Sequence, residues 1–487
     1  MKYVLGIDFG GGASKATLLS EDGKITATAI KEYATYAVAD GGREQKPDEW
    51  LGAALDNIQT VIGVSGIDAK DIVCVCFDAA THTAVLMDEK GKVLAPSVYW
   101  TDTRSVKEKQ YLAENFGAEI FSKFKHEPDT IWTLTQLLWM KNKDPELFSR
   151  IHKITFAKDF VRGFFTGDFV TDDIEAEGSM LFDFDKKDWD EKFLSLLGLK
   201  KENFPKVVRP LSVVGRITRK AAEVSGLRAG TAVICGTTDT AAEIFAAGAA
   251  EKGAATLKLA TAGRICVVTD RLIPDKHLIN YSHVADGLFY PGTATKSCAS
   301  SLRWFRDAFG GEYKDLDALA ETVPVGSDGM FFHPFLSGEL TPYGDPELKA
   351  SFTGVTFTHT KAHFVRAVLE GVAFSLLDCK KYLEEKGVKI TRATAIGGGA
   401  KSGLWRQIVA DALGIELISI RNGDSSFGSS MLAGIGAVFF EDFKDAIRKC
   451  LIVTGKTAPN RENTAKYEEL FRRYKKTARA LIGIRND

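Results

Sequence analysis

Short apolar runs closed by glycine recur along the chain, separated by stretches whose apolar residues stand three and four apart. Tyr3 to Phe9 predicts a strand, Gly10-Gly11-Gly12 a turn, and Ser14 to Leu19 a second strand. Asp22-Gly23 makes a hairpin turn into a third strand, Lys24 to Ile30. After a polar loop ending at Pro47, Asp48 to Gly63 has helical spacing through Trp50, Ala54, Ile58 and Val61. Ile72 to Phe77 reads as a buried strand that runs into Asp78-Ala-Ala-Thr81-His82-Thr83, and Ala84 to Met87 as another. Residues 105–155 predict mostly helix, with Leu134, Leu137, Leu138 and Trp139 on one face. Thr171 to Asp183 is acidic and polar and reads as turns, and Lys186 to Leu199 as a helix.

The pattern then starts again. Thr231 to Cys235 predicts a strand, Gly236 to Asp239 a break, and Thr240 to Ala250 a packed helix whose Thr240 and Glu243 have capping-box spacing. Ala254 to Leu259, the turn Ala260 to Gly263, and Arg264 to Thr269 repeat the strand, small-residue turn, strand order of the N-terminus. Two similarly built halves follow, not a solenoid, whose period is about 20–50 residues. Phe331 to Tyr343 reads as a loop, Lys361 to Lys381 as a helix, and Arg392 to Ile396 as a strand entering Gly397-Gly398-Gly399. A helix through Leu404 and Trp405 comes next, then a buried helix over Phe427 to Phe440. Thr464 to Ile482 reads as a basic amphipathic helix with a solvated face.

Composition narrows the function by exclusion. A net charge of −1 over 487 residues carries no basic excess for nucleic acid or an anionic membrane surface. No apolar stretch approaches the roughly 20 residues of a membrane span. Seven scattered cysteines show no zinc spacing and read as small buried thiols in a reducing, cytoplasmic setting.

The chemistry is concentrated at three glycine-rich turns after strands: Gly10 to Gly12, Ala260 to Gly263, and Gly397 to Gly399. None matches the P-loop or G-x-G-x-x-G pattern, but each exposes amide donors suited to an anion. Asp8 ends the first strand, and Asp239 lies just outside a helix able to cap itself. Asp239 reads either as an N-cap or as a functional carboxylate, and the glycine turn at Gly10 either as structural or as a site of close ligand approach. Asp102 and Arg104 fit a structural ion pair as well as a binding site, and His82 fits a satisfied core histidine as well as a ligand.

One long stretch carries a family resemblance. Ala350-Ser-Phe-Thr-Gly354-Val355, seven residues, then His363-Phe-Val-Arg-Ala-Val-Leu-Glu370 resembles the C-terminal signature of the FGGY carbohydrate kinases at every fixed position. Leu5 to Gly10, Glu44-Gln45, Trp100 to Arg104, Gly236 to Asp239, Thr261 to Gly263, Pro334 to Pro342 and Gly397 to Ser402 occur in the family's order.

The resemblance implies an α/β, two-lobed actin-like ATPase (ribonuclease H-like) fold with duplicated domains around an interdomain cleft. An N-terminal domain over 1–245 would bind sugar and a C-terminal domain over 246–487 would bind ATP. Asp239 would be the catalytic base, and Asp8 a catalytic carboxylate holding Mg²⁺. Thr81, His82, Trp100, Asp102, Arg104, Asp239 and Thr240 would bind the sugar. Gly10, Gly11, Gly12, Lys15, Thr261, Gly263, Gly398, Gly399 and Ser402 would bind ATP. The implied reaction is ATP-dependent phosphorylation of a ketopentose such as D-xylulose. The alternatives are another ketose, polyol or sugar acid, or a nucleotide-dependent switch on the same fold. The partner is a small-molecule sugar, without nucleic acid or membrane, and a homodimer is compatible with the reading. Departures from the family fall at Gly11 and Gly12, where Thr-Ser is usual, and at Ala80, Thr81, Gln136 and Thr240. These alter the sugar pocket more than the ATP frame.

Overall fold

The computed structural model describes residues 1–483 and divides into two compact units. The first comprises Met1–Ala250, Tyr281–Leu288 and Asn422–Leu451. The second comprises Glu251–Asn280, Phe289–Arg421 and the C-terminal segment from Ile452.

The sheet of the first unit runs, edge to edge, Val213–Arg216, Ala232–Ile234, Ile72–Ala79, Tyr3–Phe9, Ala13–Ser20 and Ile25–Glu32. Thr237–Thr238 pairs with Ile72–Ala79 off that row. The sheet of the second unit runs Val453–Thr457, Glu416–Ile420, Arg392–Ile396, Ala255–Leu259, Gly263–Val267 and Gly292–Ala294. Each places a three-stranded antiparallel meander beside two parallel strands and closes on an antiparallel edge. The duplication expected from the repeated strand–turn–strand order is therefore present as the same sequence of parallel and antiparallel neighbours, except that the edge strand comes before its neighbour in the chain in the first unit and after it in the second.

Apolar stripes seat the helices. Pro47–Ser65 buries Trp50, Ala54, Ile58 and Val61 in a core shared with Leu5, Ile7 and Val75. In the second unit Lys361–Glu385 buries Val365, Leu369, Val372 and Leu376 against Leu257 and Ile265. Full burial of each such side chain contributes about 1.5–3 kcal/mol. The helix Ser425–Gly436 returns to the first unit and needs glycine to lie flat there. A Cβ on Gly6 would stand 2.2 Å from the Ser426 carbonyl oxygen, and one on Gly428 would stand 2.1 Å from that of Ala242.

Several expectations are corrected. The helix expected from Thr240 begins at Asp239, and its N-cap is Thr238, whose hydroxyl accepts from the Ala241 amide; the Thr240–Glu243 capping box does not form. The acidic stretch read as turns contains a buried helix, Asp173–Gly178. The helix over Lys186 to Leu199 shortens to Glu191–Leu197 because Asp190 caps it. Phe331–His333, read as loop, is a strand paired with Ser351–Thr353. Arg461–Gly483 is not simply a surface helix, since Tyr467, Phe471, Tyr474 and Ala478 are buried. All seven cysteines are buried, as expected. Among the described residues no helix is long and apolar enough to cross a membrane.

Candidate active site

Parallel strands bring their carboxyl ends to one side of a sheet, and the first unit gathers its carboxylates there. Asp8 is in register with Asp78 on the neighbouring parallel strand. Thr237–Thr238 extends the pairing beside Asp78 and Ala79, so Asp239 leaves the sheet at the same end. The approach depends on Gly236. Its φ is +77°, and a Cβ there would stand 1.9 Å from the Phe77 carbonyl oxygen. Asp239 Oδ1 accepts from the Thr240 amide at 2.5 Å and from its hydroxyl at 3.2 Å.

Asp78, Asp424 and Ser429 were not singled out from sequence, yet they complete this cluster. Burial raises the Asp8 carboxyl to about 7, reinforced by the charges of Asp239 and Asp424 and opposed by hydrogen bonds from Asp78 and Ser425. Burial and the Asp8 charge push Asp78 well above the usual carboxylate range. The Oδ1 atoms of Asp8 and Asp78 are buried and receive no N–H or hydroxyl donor. The charge on Asp8 raises Asp78, so the buried pair resists holding two negative charges at once. Asp78 Oδ2 accepts from Ser429 Oγ at 2.5 Å. Lys15, opposite Asp8 on the adjacent strand, reaches Asp424 Oδ2 at 2.7 Å. Asp424 in turn caps Ser425–Gly436 through the Phe427 amide.

The residues expected to bind the sugar lie in the same unit. His82 adopts φ 52° and donates its amide to Glu175 Oε1, while its carbonyl accepts from Thr133 Oγ1 at 2.8 Å. Burial, with a smaller contribution from His126, lowers the His82 imidazole to about 3, so it stays neutral. Its ring centroid is 5.1 Å from that of Trp132. Gly178 keeps the space clear, since a Cβ there would stand 2.8 Å from Thr81 Cγ2 and 2.9 Å from His82 Cδ2. Trp100 is 43% exposed. Asp102 accepts from the Arg43 amide at 2.7 Å and from Arg104 Nε at 2.9 Å. Arg104 also pairs with Glu44 at 2.8 Å and stacks 4.3 Å from the Trp139 ring centroid.

Beneath both groups lies a buried charge cluster that composition concealed. Lys158 Nζ sits 2.5 Å from Asp159 Oδ1 and 2.9 Å from Asp172 Oδ2. Arg162 binds Asp159, Asp168 and the Cys235 carbonyl. Asp172 accepts from Thr237 Oγ1 at 3.1 Å, so the cluster anchors the approach to Asp239. Burial, opposed by Lys158, raises Glu175 well above its usual range while it holds the His82 amide.

In the second unit, the turn joining Ala255–Leu259 to Gly263–Val267 is pinned through the Thr261 carbonyl by the Cys298 amide at 3.0 Å and Ser300 Oγ at 2.7 Å. The Gly263 amide donates to Thr295 Oγ1 at 3.0 Å. The adjacent strand Arg392–Ile396 leads to Gly398, which has open space on its side-chain face, and to Gly399 and Ser402. Ser402 Oγ caps Gly403–Leu413 by accepting from the Trp405 amide at 3.0 Å.

Models of two domains match the chain: the N-terminal domain of the FGGY family of carbohydrate kinases over residues 3–246, and the C-terminal domain over residues 265–437. The chain belongs to the FGGY family of carbohydrate kinases. Xylulose kinase of Bacillus subtilis is 30% identical over 480 residues, covering 98% of this chain and 96% of that one. The crystal structure of xylulose kinase from Rhodospirillum rubrum covers 100% of both chains at 25% identity and a TM-score of 0.93. That of gluconate kinase from Lactobacillus acidophilus covers 99% of this chain and 98% of that one at 26% identity and a TM-score of 0.92. The expected two-domain α/β kinase fold and the carbohydrate-kinase class both hold for this FGGY chain.

Proposed function

We propose that the chain transfers the γ-phosphoryl group of ATP to a hydroxyl of D-xylulose, giving D-xylulose 5-phosphate. The observation that carries this is the meeting of Asp8 and Asp239 at one sheet end, with helix capping assigned to Thr238 instead. Asp239 takes the proton of the attacking hydroxyl as the new O–P bond forms and the bond to the β-phosphate oxygen breaks, releasing ADP. Phosphoryl transfer is loose, so positioning and charge neutralisation supply most of the catalysis. Thr81, His82, Trp100, Asp102, Arg104 and Thr240 are assigned to the sugar. Gly10, Gly11, Gly12, Lys15, Thr261 and Gly263 are assigned to the phosphates, and Gly398, Gly399 and Ser402 to the adenosine.

Among the described residues no group of three or more His, Cys, Asp or Glu side chains could hold a metal unaided. Mg²⁺ needs only one or two carboxylates, because it keeps water and phosphate ligands. The buried, donor-free Oδ1 edge of Asp8 fits that requirement. When bound there, Mg²⁺ supplies the positive charge that offsets the phosphates.

The gluconate kinase likeness motivates a second reading, a sugar-acid kinase. Charge argues against it. Arg104 is committed to Asp102 and Glu44, and Lys158 and Arg162 to Asp159, Asp172 and Asp168. With Asp8, Asp78 and Asp239 gathered nearby, a neutral ketose fits better than a carboxylate. Buried cysteines and an ATP substrate suit a cytoplasmic location. The test is ADP release with Mg-ATP over D-xylulose, D-ribulose, glycerol and gluconate. D-xylulose is expected to give the highest kcat/KM; silence on it beside turnover of gluconate overturns the substrate assignment.

A further inference from the structure

The triple-glycine turn is gripped from one side by residues that the reaction above does not use. Gln45 is 2% exposed. Trp50 donates its indole N–H to Gln45 Oε1 at 3.2 Å. An indole nitrogen only donates, so the carboxamide must direct its NH₂ the other way. That nitrogen lies 2.7 Å from Thr35 Oγ1, 3.2 Å from the Gly11 carbonyl oxygen and 3.4 Å from that of Gly10. The Thr35 hydroxyl donates to the Gly11 carbonyl, and the Tyr33 hydroxyl to the Gly10 carbonyl at 2.5 Å. The Tyr33 amide donates to the Gly12 carbonyl at 3.1 Å. All three glycine carbonyls are thus fixed.

A trans peptide is planar, so its N–H points opposite to its C=O. Anchoring the Gly10 carbonyl therefore aims the Gly11 N–H away from Gln45, and anchoring the Gly11 carbonyl aims the Gly12 N–H. Both of these glycines are exposed. Three consecutive glycines left alone would have more backbone freedom than any other tripeptide, which would blur the direction of those donors. We infer that Gln45, supported by Thr35 and Tyr33, is a positioning residue that keeps the Gly11 and Gly12 amides aimed at the phosphates of the nucleotide. The inference rests on the proposed phosphate role of this turn.

Gln45→Met keeps the length and removes the donor. Thr35→Val removes the hydroxyl at a half-buried position where the fold is not at stake. In the full chain, KM for Mg-ATP is expected to rise roughly tenfold in each variant, from the loss of one or two hydrogen bonds. KM for the sugar should stay within about twofold, a split that a general loosening of the fold would not produce. Should Gln45→Met fail to fold, Thr35→Val decides alone. An unchanged KM for Mg-ATP, or equal rises in both KM values, overturns the clamp. Gly12→Asp separates this from the parent reading, because a Cβ there meets nothing within 4 Å and only a charge is added. If Mg-ATP binding survives Gly12→Asp, the phosphate role of the turn fails and the clamp's purpose with it. If Gly12→Asp abolishes binding while both clamp variants keep their KM, the clamp alone is wrong.

Discussion

Replacing Asp8 by asparagine should stabilise the ligand-free protein above neutral pH while removing its activity. Burial holds the folded Asp8 carboxyl near 7 against an ordinary value of 3.8. As pH rises from about 4, the unfolded chain releases this proton first, so wild type loses stability until pH passes about 7. A gap of three units at about 1.4 kcal/mol each amounts to roughly 4 kcal/mol of strain in the ionised state. The carboxamide of the variant cannot ionise and escapes it, and losing the Asp8 charge also relieves Asp78. Glu175 and Glu177 titrate alike in both proteins and cancel in the difference. Urea unfolding at pH 5 and pH 8 measures the effect. The stability advantage of Asp8→Asn should widen by up to about 3 kcal/mol between those values, with sugar-dependent ADP release abolished. A variant less stable than wild type at pH 8, or an advantage that does not change with pH, would refute the argument that burial strains this carboxylate.

The supports of the site give two further tests. Gly236→Ala forces a Cβ to 1.9 Å from the Phe77 carbonyl oxygen at φ +77° and should cost roughly 3 kcal/mol or more in urea unfolding; an unchanged midpoint would show that the turn into Asp239 tolerates a side chain. Arg104→Lys keeps the charge but loses the paired contacts to Asp102 and Glu44 and the stack on Trp139. KM for the sugar should rise about tenfold, with kcat within a few-fold in steady-state assays; unaltered kinetics would leave Arg104 a purely structural ion-pair partner.

Much of the fold was legible because glycine punctuates the strands. Tyr3–Phe9, Ala84–Met87 and Arg392–Ile396 have the predicted limits, and the repeated strand–turn–strand order reports a real duplication. The site was half legible. Asp8 and Asp239 stood out at the ends of apolar runs, whereas Asp78 closes a run that reads as core and gains meaning only from its register with Asp8. Asp424 and Ser429 belong to a segment, Asn422–Leu451, that rejoins the first unit long after Ala250, a long-range contact that local pattern cannot carry. The stretch from Thr171 was misread for a different reason. Acidic composition usually means exposure, but here Lys158 pairs with Asp172, Arg209 with Asp173 and Lys187 with Glu177, which lets the stretch be buried. The capping box failed because Thr238, two residues earlier, already supplied the cap.

The proton-accepting role of Asp239 is tested most directly by comparing Asp239→Ala with wild type in D-xylulose-dependent ADP release, with ADP binding measured by calorimetry on both. The account predicts a fall in kcat of about 10²–10⁴ with nucleotide affinity unchanged. Turnover within about tenfold of wild type would contradict it.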